Sequence, residues 1–377
     1  MIRSILLGLA ALTLGVGCGG SDEPASPPTT GSEVTEADRP ADGRDEVEIE
    51  QTTIAEGLEV PWGLTFLPDG DALYTERDSG RLLRLDPESG ESEAIQTLPT
   101  RGDGEGGALG LALSPDFEGD GLLYAYITTE RDNRVVRFEI GAEPEPVLTG
   151  IPQNSFHDGG RIAFGPDGKL YVATGDAGDP DAAQDRGSLA GKILRVEPDG
   201  SVPRDNPIED SPVYSLGHRN VEGLAWDEDD QLFASEFGEN AFDEVNRIEA
   251  GGNFGWPLFE GDGGAEAENE GFINPITTWL TAEASPSGAA ILIDGGIPQW
   301  EGDLFVAALR GERLWRVELA RDGTVAGREP LLEGELGRIR NALAAPDGSL
   351  WVTTSNRDGR GSPRSGDDKI IRLGPAG

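Results

Sequence analysis

Short runs of alternating apolar and polar residues, fenced by Pro, Gly and Asp, recur along most of the chain. A period of two with such punctuation predicts strands rather than helices. The runs come in a fixed order. A strand of small and apolar residues leads: Gly63-Leu64-Thr65-Phe66, Gly110-Leu111-Ala112-Leu113, Arg161-Ile162-Ala163-Phe164, Gly223-Leu224-Ala225-Trp226, Gly288-Ala289-Ala290-Ile291 and Ala342-Leu343-Ala344. A Pro-Asp-Gly turn or a variant follows: Pro68-Asp69-Gly70, Pro115-Asp116, Pro166-Asp167-Gly168, Asp227-Glu228, Trp300-Glu301-Gly302 and Pro346-Asp347-Gly348. Each turn precedes a second strand such as Leu170-Tyr171-Val172. A third strand then carries an arginine, at Arg84, Arg137, Arg195, Arg247, Arg316 and Arg372.

Six copies of one strand–turn–strand–loop–strand unit predict a repeat architecture. Short antiparallel strands repeated in this way give an all-β, six-bladed β-propeller of four-stranded antiparallel blades, which hides its sheet edges by radial closure. A β-sandwich would not produce six near-copies. The apolar stretch 47–54 precedes the first copy and is expected to supply an outer strand to the last blade, closing the ring.

The N-terminal region has a different character. A basic Arg3 precedes an apolar run over 5–16, which is a secretory leader pattern and too short to span a bilayer. The run ends at Cys18, the single cysteine of the chain. We read residues 1–18 as a lipoprotein-type signal peptide with its lipidation site. Residues 19–46 hold Ser, Thr, Pro, Gly and acid with no aromatic residue, and read as a disordered acidic linker because they cannot bury enough apolar surface to offset ordering entropy. The propeller domain is expected over 47–377. An exported, lipid-anchored protein of the bacterial cell envelope is implied, facing the periplasm or the cell exterior. The formal charge of −40 argues against nucleic acid as a partner. With three lysines among 30 basic residues it also resembles salt-adapted composition.

In a propeller the segments leading into each first strand sit at one mouth of the central channel. Here they contain Pro61-Trp62, Glu105-Gly106-Gly107, His157-Asp158-Gly159-Gly160, His218-Arg219-Asn220, Ser285-Pro286-Ser287 and Arg338-Ile339-Arg340-Asn341. Both histidines of the chain thus fall on one rim, together with three arginines and a glutamate. A cationic rim on an acidic protein suits an anionic ligand. Histidine is the usual general base near neutral pH. His157 is the candidate base and His218 is expected to be structural.

Four strings on this framework are similar to those of the pyrroloquinoline quinone (PQQ)-dependent soluble aldose sugar dehydrogenases, the glucose/sorbosone dehydrogenase family. They are His-Asp-Gly-Gly-Arg-Ile-Ala-Phe-Gly-Pro-Asp-Gly-Lys-Leu-Tyr-Val-Ala-Thr-Gly-Asp at 157–176, Ser-Leu-Ala-Gly-Lys-Ile-Leu-Arg at 188–195, Leu-Gly-His-Arg-Asn-Val-Glu-Gly-Leu at 216–224, and Gly-Asn-Phe-Gly-Trp-Pro at 252–257. The resemblance runs from about residue 60 to residue 373. It implies oxidation of an aldose at C1 to the lactone, with hydride passing to PQQ and His157 as the base. Glu105 stands near that base where the family often has glutamine. Arg219, Asn220, Arg310, Arg338 and Arg340 match cofactor-contacting positions, with Arg310 at a family lysine. Calcium is implied as well. Its ligands would be the carbonyls of Gly238 and Glu239, in a turn that lacks the family's proline, while Glu244 and the Phe254 carbonyl would hold a second ion.

The implied partners are an aldose substrate and an external electron acceptor, with a monomer or homodimer as the assembly. Two other readings stand beside this one. A non-catalytic propeller on the envelope could use the same scaffold for binding. A calcium-dependent lactonase would hydrolyse instead of oxidise, a chemistry that wants a carboxylate-rich channel.

Overall fold

In the computed structural model, residues 48–375 are described; the leader, Cys18 and the 19–46 linker lie outside them. Twenty-four strands form six four-stranded sheets, all antiparallel. The six first strands are Pro61–Phe66, Ala108–Leu113, Ile162–Phe164, Val221–Trp226, Pro286–Ile291 and Ile339–Ala344. They line up in a ring, each against its neighbouring blade, and Ile339–Ala344 meets Pro61–Phe66 to complete the circle. This is the six-bladed propeller that the repeats predict.

The Pro-Asp-Gly phrase works through local chemistry. Proline pre-sets the first corner of a tight turn, and the glycine after Asp takes the left-handed conformation. Gly70, Gly168 and Gly348 have φ of 98°, 72° and 78°. In each turn the glycine N–H reaches back to the carbonyl that opens it, as Gly168 does to Gly165 at 2.9 Å. The Asp of the turn, or one close after it, then meets the arginine of the third strand. Such pairs are Asp69–Arg84 at 2.7 Å, Asp167–Arg195 at 2.8 Å, Asp303–Arg316 at 2.6 Å and Asp347–Arg372 at 2.9 Å. Two of the recurring sequence phrases are thus two halves of one cross-strand contact.

The core lies between blades, where apolar faces of successive sheets meet. One cluster joins Leu109, Tyr124 and Tyr126 of the second blade to Val172, Leu194 and Val213 of the third. Another joins Phe305 and Leu314 of the fifth to Val352 and Ile371 of the sixth. The outer strand of the last blade is Ile49–Glu56, which pairs antiparallel with Lys369–Pro375, Ile49 opposite Pro375. The N-terminal strand therefore closes the ring, as the stretch before the first repeat suggests. With the first strands ringed around one axis, the segments that lead into them gather at one mouth.

Candidate active site at the channel mouth

Two adjoining chambers open at that mouth. The inner one, of about 320 Å³, is lined by Trp62, Arg77, Glu222, Arg338, Arg340 and Asp358 among others. The outer one, of about 380 Å³, is lined by Phe156, His157, Arg219, Gly238, Glu239 and Asp243 among others. Glu105, Phe237, Ser285, Arg310 and Arg360 border both. Each chamber falls in the size range of small-molecule sites.

His157 is held from three sides. Its backbone has φ 58°, a left-handed conformation uncommon for a side-chain-bearing residue and one that clusters at functional sites. The Glu105 carboxylate fixes that backbone by accepting the His157 N–H at 2.8 Å. The Nδ1 atom lies 2.7 Å from Asp176 Oδ1, and the Phe156 ring packs edge-on at 4.7 Å. Asp176 is buried, which works to raise its carboxyl. The His157 ring, the Gly178 N–H and the Trp256 indole outweigh this and hold it below the usual carboxylate range. An ionised Asp176 can only accept, so Nδ1 carries the proton, and in the neutral ring the lone pair stands on Nε2. That is the tautomer a general base requires.

Glu105 serves the histidine's backbone rather than its ring. Its other oxygen takes Arg360 at 2.6 Å. His218 is fully buried, bonded to Glu236 and Ser215, and stacked on Phe254 at 4.8 Å. It is structural, as the sequence suggested.

The arginines divide by partner. Arg338 donates through Nε and Nη2 to Asp358 at 3.0 and 2.8 Å. Arg340 lies within its strand rather than before it, so it points into the channel. There it donates to Glu222 at 2.7 Å and lies 3.6 Å from Asp358. Arg161, just before the first strand of blade three, donates Nε to the Glu222 carbonyl and stacks on Trp62 at 4.2 Å. Burial pushes the Arg161 guanidinium down to about 9 and lowers Arg340 as well, against the pull of Glu222 and Asp358. Arg219 stacks on Trp256 at 5.4 Å. Asn220 is committed inside the protein: its Oδ1 accepts the Gly159 N–H at 3.0 Å and its Nδ2 faces Glu222 at 3.3 Å. Arg310 is exposed at the border of the two chambers, with no ion pair among the described residues.

Among the described residues three buried guanidinium nitrogens lack an acceptor: Arg161 Nη2, Arg219 Nε and Arg340 Nε. Arg219 and Arg340 line the chambers, so their unmet donors suit a ligand rich in acceptor oxygens. Sequence reasoning placed Trp62 on the rim, but missed Arg77, Glu222, Asp358 and Arg360 at this site and gave Asp176 no role. Glu222 and Asp176 lie inside the quoted strings. Asp358 and Arg360 lie in the loop between the second and third strands of the last repeat, a stretch that none of the recurring phrases covers.

Among the described residues no three His, Cys, Asp or Glu side chains converge as a metal site, so a cation here would depend on backbone carbonyls. Gly238 and Glu239 border the outer chamber in the loop between Leu232–Glu236 and Phe242–Arg247. Glu244 is buried, and burial followed by the neighbouring Glu236 raises its carboxyl to about 8. The Asn246 amide bridges these two carboxylates at 2.9 and 3.1 Å, and its Oδ1 has no partner. Two crowded carboxylates and an orphan acceptor suit a cation.

The family model for glucose/sorbosone dehydrogenase matches residues 58–371. The PQQ-bound aldose sugar dehydrogenase of Streptomyces coelicolor superposes with a TM-score of 0.81 at 46% identity, over 87% of this chain and 99% of that one. The aldose sugar dehydrogenase YliI of Escherichia coli is 30% identical over 82% of this chain and 91% of its own length. The quinoprotein glucose dehydrogenase B of Acinetobacter calcoaceticus is 29% identical over 81% and 85%. With the family model covering nearly the whole propeller, the chain belongs to the glucose/sorbosone dehydrogenase family.

Proposed function

We propose that this protein is a PQQ- and calcium-dependent aldose dehydrogenase that oxidises the sugar at C1 to the lactone. The observation that carries the reading is the His157–Asp176 pair, which leaves a basic Nε2 on a residue that lines the outer chamber, next to an arginine-lined one. The names of the three relatives, sugar dehydrogenases all, support the same substrate class and the quinone.

When bound, the quinone supplies a two-electron acceptor and the calcium ion a Lewis acid beside it. Arg219, Arg310, Arg338 and Arg340 would hold the quinone's carboxylates, with Asn220 shaping the wall between Gly159 and Glu222. The carbonyls of Gly238 and Glu239 would hold the catalytic ion. Glu244 and the Phe254 carbonyl would hold a structural one. His157 Nε2 takes the proton of the anomeric hydroxyl as the C1 hydrogen leaves with its electron pair. Asp176 keeps the ring in the reactive tautomer and stabilises the imidazolium that forms. Glu105 holds the backbone that aims the ring. Trp62 and Phe237 help exclude water from the inner chamber. The same reading takes an external electron acceptor to complete the cycle, and an exported enzyme tethered at Cys18.

Titrating the calcium-loaded protein with PQQ, and following dye reduction with a panel of aldoses, tests the proposal. Saturable binding with sugar-dependent reduction that is lost in His157→Ala is expected. No PQQ binding at micromolar concentration in the presence of calcium would sink it and favour a propeller that only binds.

A further inference from the structure

One carboxylate oxygen organises the loop that carries the two carbonyls assigned to the catalytic ion. Glu260 Oε1 accepts four consecutive backbone N–H groups: Glu239 at 2.6 Å, Asn240 at 2.8 Å, Ala241 at 3.0 Å and Phe242 at 3.3 Å. The turn is tight: a Cβ on Gly238 would stand 1.7 Å from the Phe242 carbonyl oxygen and 2.8 Å from Glu260 Oε1, so only glycine fits there. Asp243 anchors the loop's other side, accepting Gly238 N–H at 2.9 Å and Ser285 N–H at 2.6 Å.

The direction of the carbonyls follows from peptide geometry. In a trans peptide the C=O of one residue and the N–H of the next point opposite ways. The N–H of Glu239 points at Glu260, so the C=O of Gly238 points away from it. The N–H of Asn240 points at Glu260, so the C=O of Glu239 does likewise. Among the described residues the N–H groups of Glu239, Asn240 and Ala241 donate to no backbone carbonyl, so Glu260 is the acceptor that orients these peptides. We infer that Glu260 is a positioning residue for the cation: it gathers the N–H groups of residues 239–242 and thereby turns the Gly238 and Glu239 carbonyls outward as a ready pair of ligands. A pre-turned pair spares the ion the free energy of reorganising two peptide planes, and partners of this kind behind metal ligands set affinity strongly. The inference rests on the cation reading given above, and commits Glu260 to a role that neither charge nor spacing in the sequence discloses.

Calcium titration by calorimetry tests it, on metal-stripped full-length protein in a Glu244→Gln background so that the loop ion is read alone. The parent should bind one ion. Glu260→Ala should bind about 10- to 100-fold more weakly. Glu260→Gln keeps an acceptor oxygen and should recover most of that loss. Hydrogen exchange at amides 239–242 should be slow in the parent and fast in Glu260→Ala. Should Glu260→Ala fail to fold, Glu260→Asp, which withdraws the carboxylate by one methylene, carries the same expectation. Loss of amide protection with unchanged calcium affinity overturns the positioning role and leaves Glu260 merely structural. Absence of calcium binding by the parent overturns the cation reading of the loop itself, and this inference with it.

Discussion

Asp358 Oδ2 lies 2.8 Å from Arg338 Nη2 at the floor of the inner chamber, in a carboxylate side chain that is 2% exposed. The Arg338 and Arg340 charges pull this carboxyl below its usual range against the effect of burial. An internal anion thus sits among the arginines that would receive a ligand's carboxylates.

Removing that anion should separate stability from affinity. Asp358→Asn takes the charge away from Arg338's partner and one of the two carboxylates that Arg340 faces, Glu222 being the other, which costs on the order of 3 kcal/mol in the ligand-free protein. The same change frees Arg338 for PQQ and leaves Arg340 with Glu222 alone, so the Kd for PQQ should fall. Chemical denaturation and PQQ fluorescence titration read the two effects. A variant that is destabilised and also binds PQQ more weakly would mean that Asp358 shapes the chamber rather than competes for it.

Asp176→Asn keeps the shape of the His157 contact but reverses its polarity. An amide N–H facing Nδ1 moves the ring proton to Nε2, the wrong tautomer for a base. We expect kcat to fall about 10³- to 10⁴-fold while PQQ affinity is unchanged. Steady-state kinetics beside a binding titration check this. Equal loss in binding would point to collapse of the outer chamber.

Asp158 gives the fold a pH-dependent element. It is buried, and burial raises its carboxyl to about 6 against hydrogen bonds from Asn133 and the Asn154 N–H. The folded protein therefore holds this proton more tightly than the unfolded chain, whose ordinary value is 3.8. The contribution is complete below pH 3.8 and is lost as pH climbs through about 6. It is worth on the order of 3 kcal/mol across that window. Asp158→Asn should flatten this part of the Tm-against-pH curve between pH 4 and 6.5. A curve that superposes on wild type would exclude the assignment.

The repeated turn–arginine contact should differ in worth from blade to blade. Arg316 and Asp303 are both buried, and Arg316 also meets Glu329 and the Gln299 carbonyl. Arg84 lies half-exposed on Asp69 and Asp71. Arg316→Met should cost about 3–5 kcal/mol because it leaves a buried carboxylate, while Arg84→Met should cost about 0–1 kcal/mol. Urea denaturation of the two variants compares them directly. Equal losses would show that burial does not decide the matter.

What the sequence discloses here follows the range of the interaction. The turn glycines act within four residues, so Pro-Asp-Gly reads as a turn wherever it occurs, and six repeats opened by that turn or a variant of it make the ring. The rim histidines and arginines are legible because each precedes or opens a repeat of known phase. The contact between Arg340 and Glu222 spans 118 positions and leaves no local mark. Glu260 reaches its four donors from a segment with no strand period at all, between Phe254 and the short helix Gly264–Glu270. Asp358 and Arg360 are hidden for the same reason, since the loop that bears them in the last repeat lies outside the recurring phrases.

The sixth blade is completed by the first strand of the fold, Ile49–Glu56, bonded to the last, Lys369–Pro375. The contact that closes the circle is therefore also the one of greatest separation along the chain, and its loop-closure entropy is the largest to overcome. During synthesis five blades can form in order while the founding strand waits for its mate. Until that mate arrives, the sixth sheet has an open edge of unpaired N–H and C=O groups, the kind of edge that invites pairing with another chain. Removal of either strand, Ile49–Glu56 or Lys369–Pro375, would leave the same gap, and the two stand or fall together.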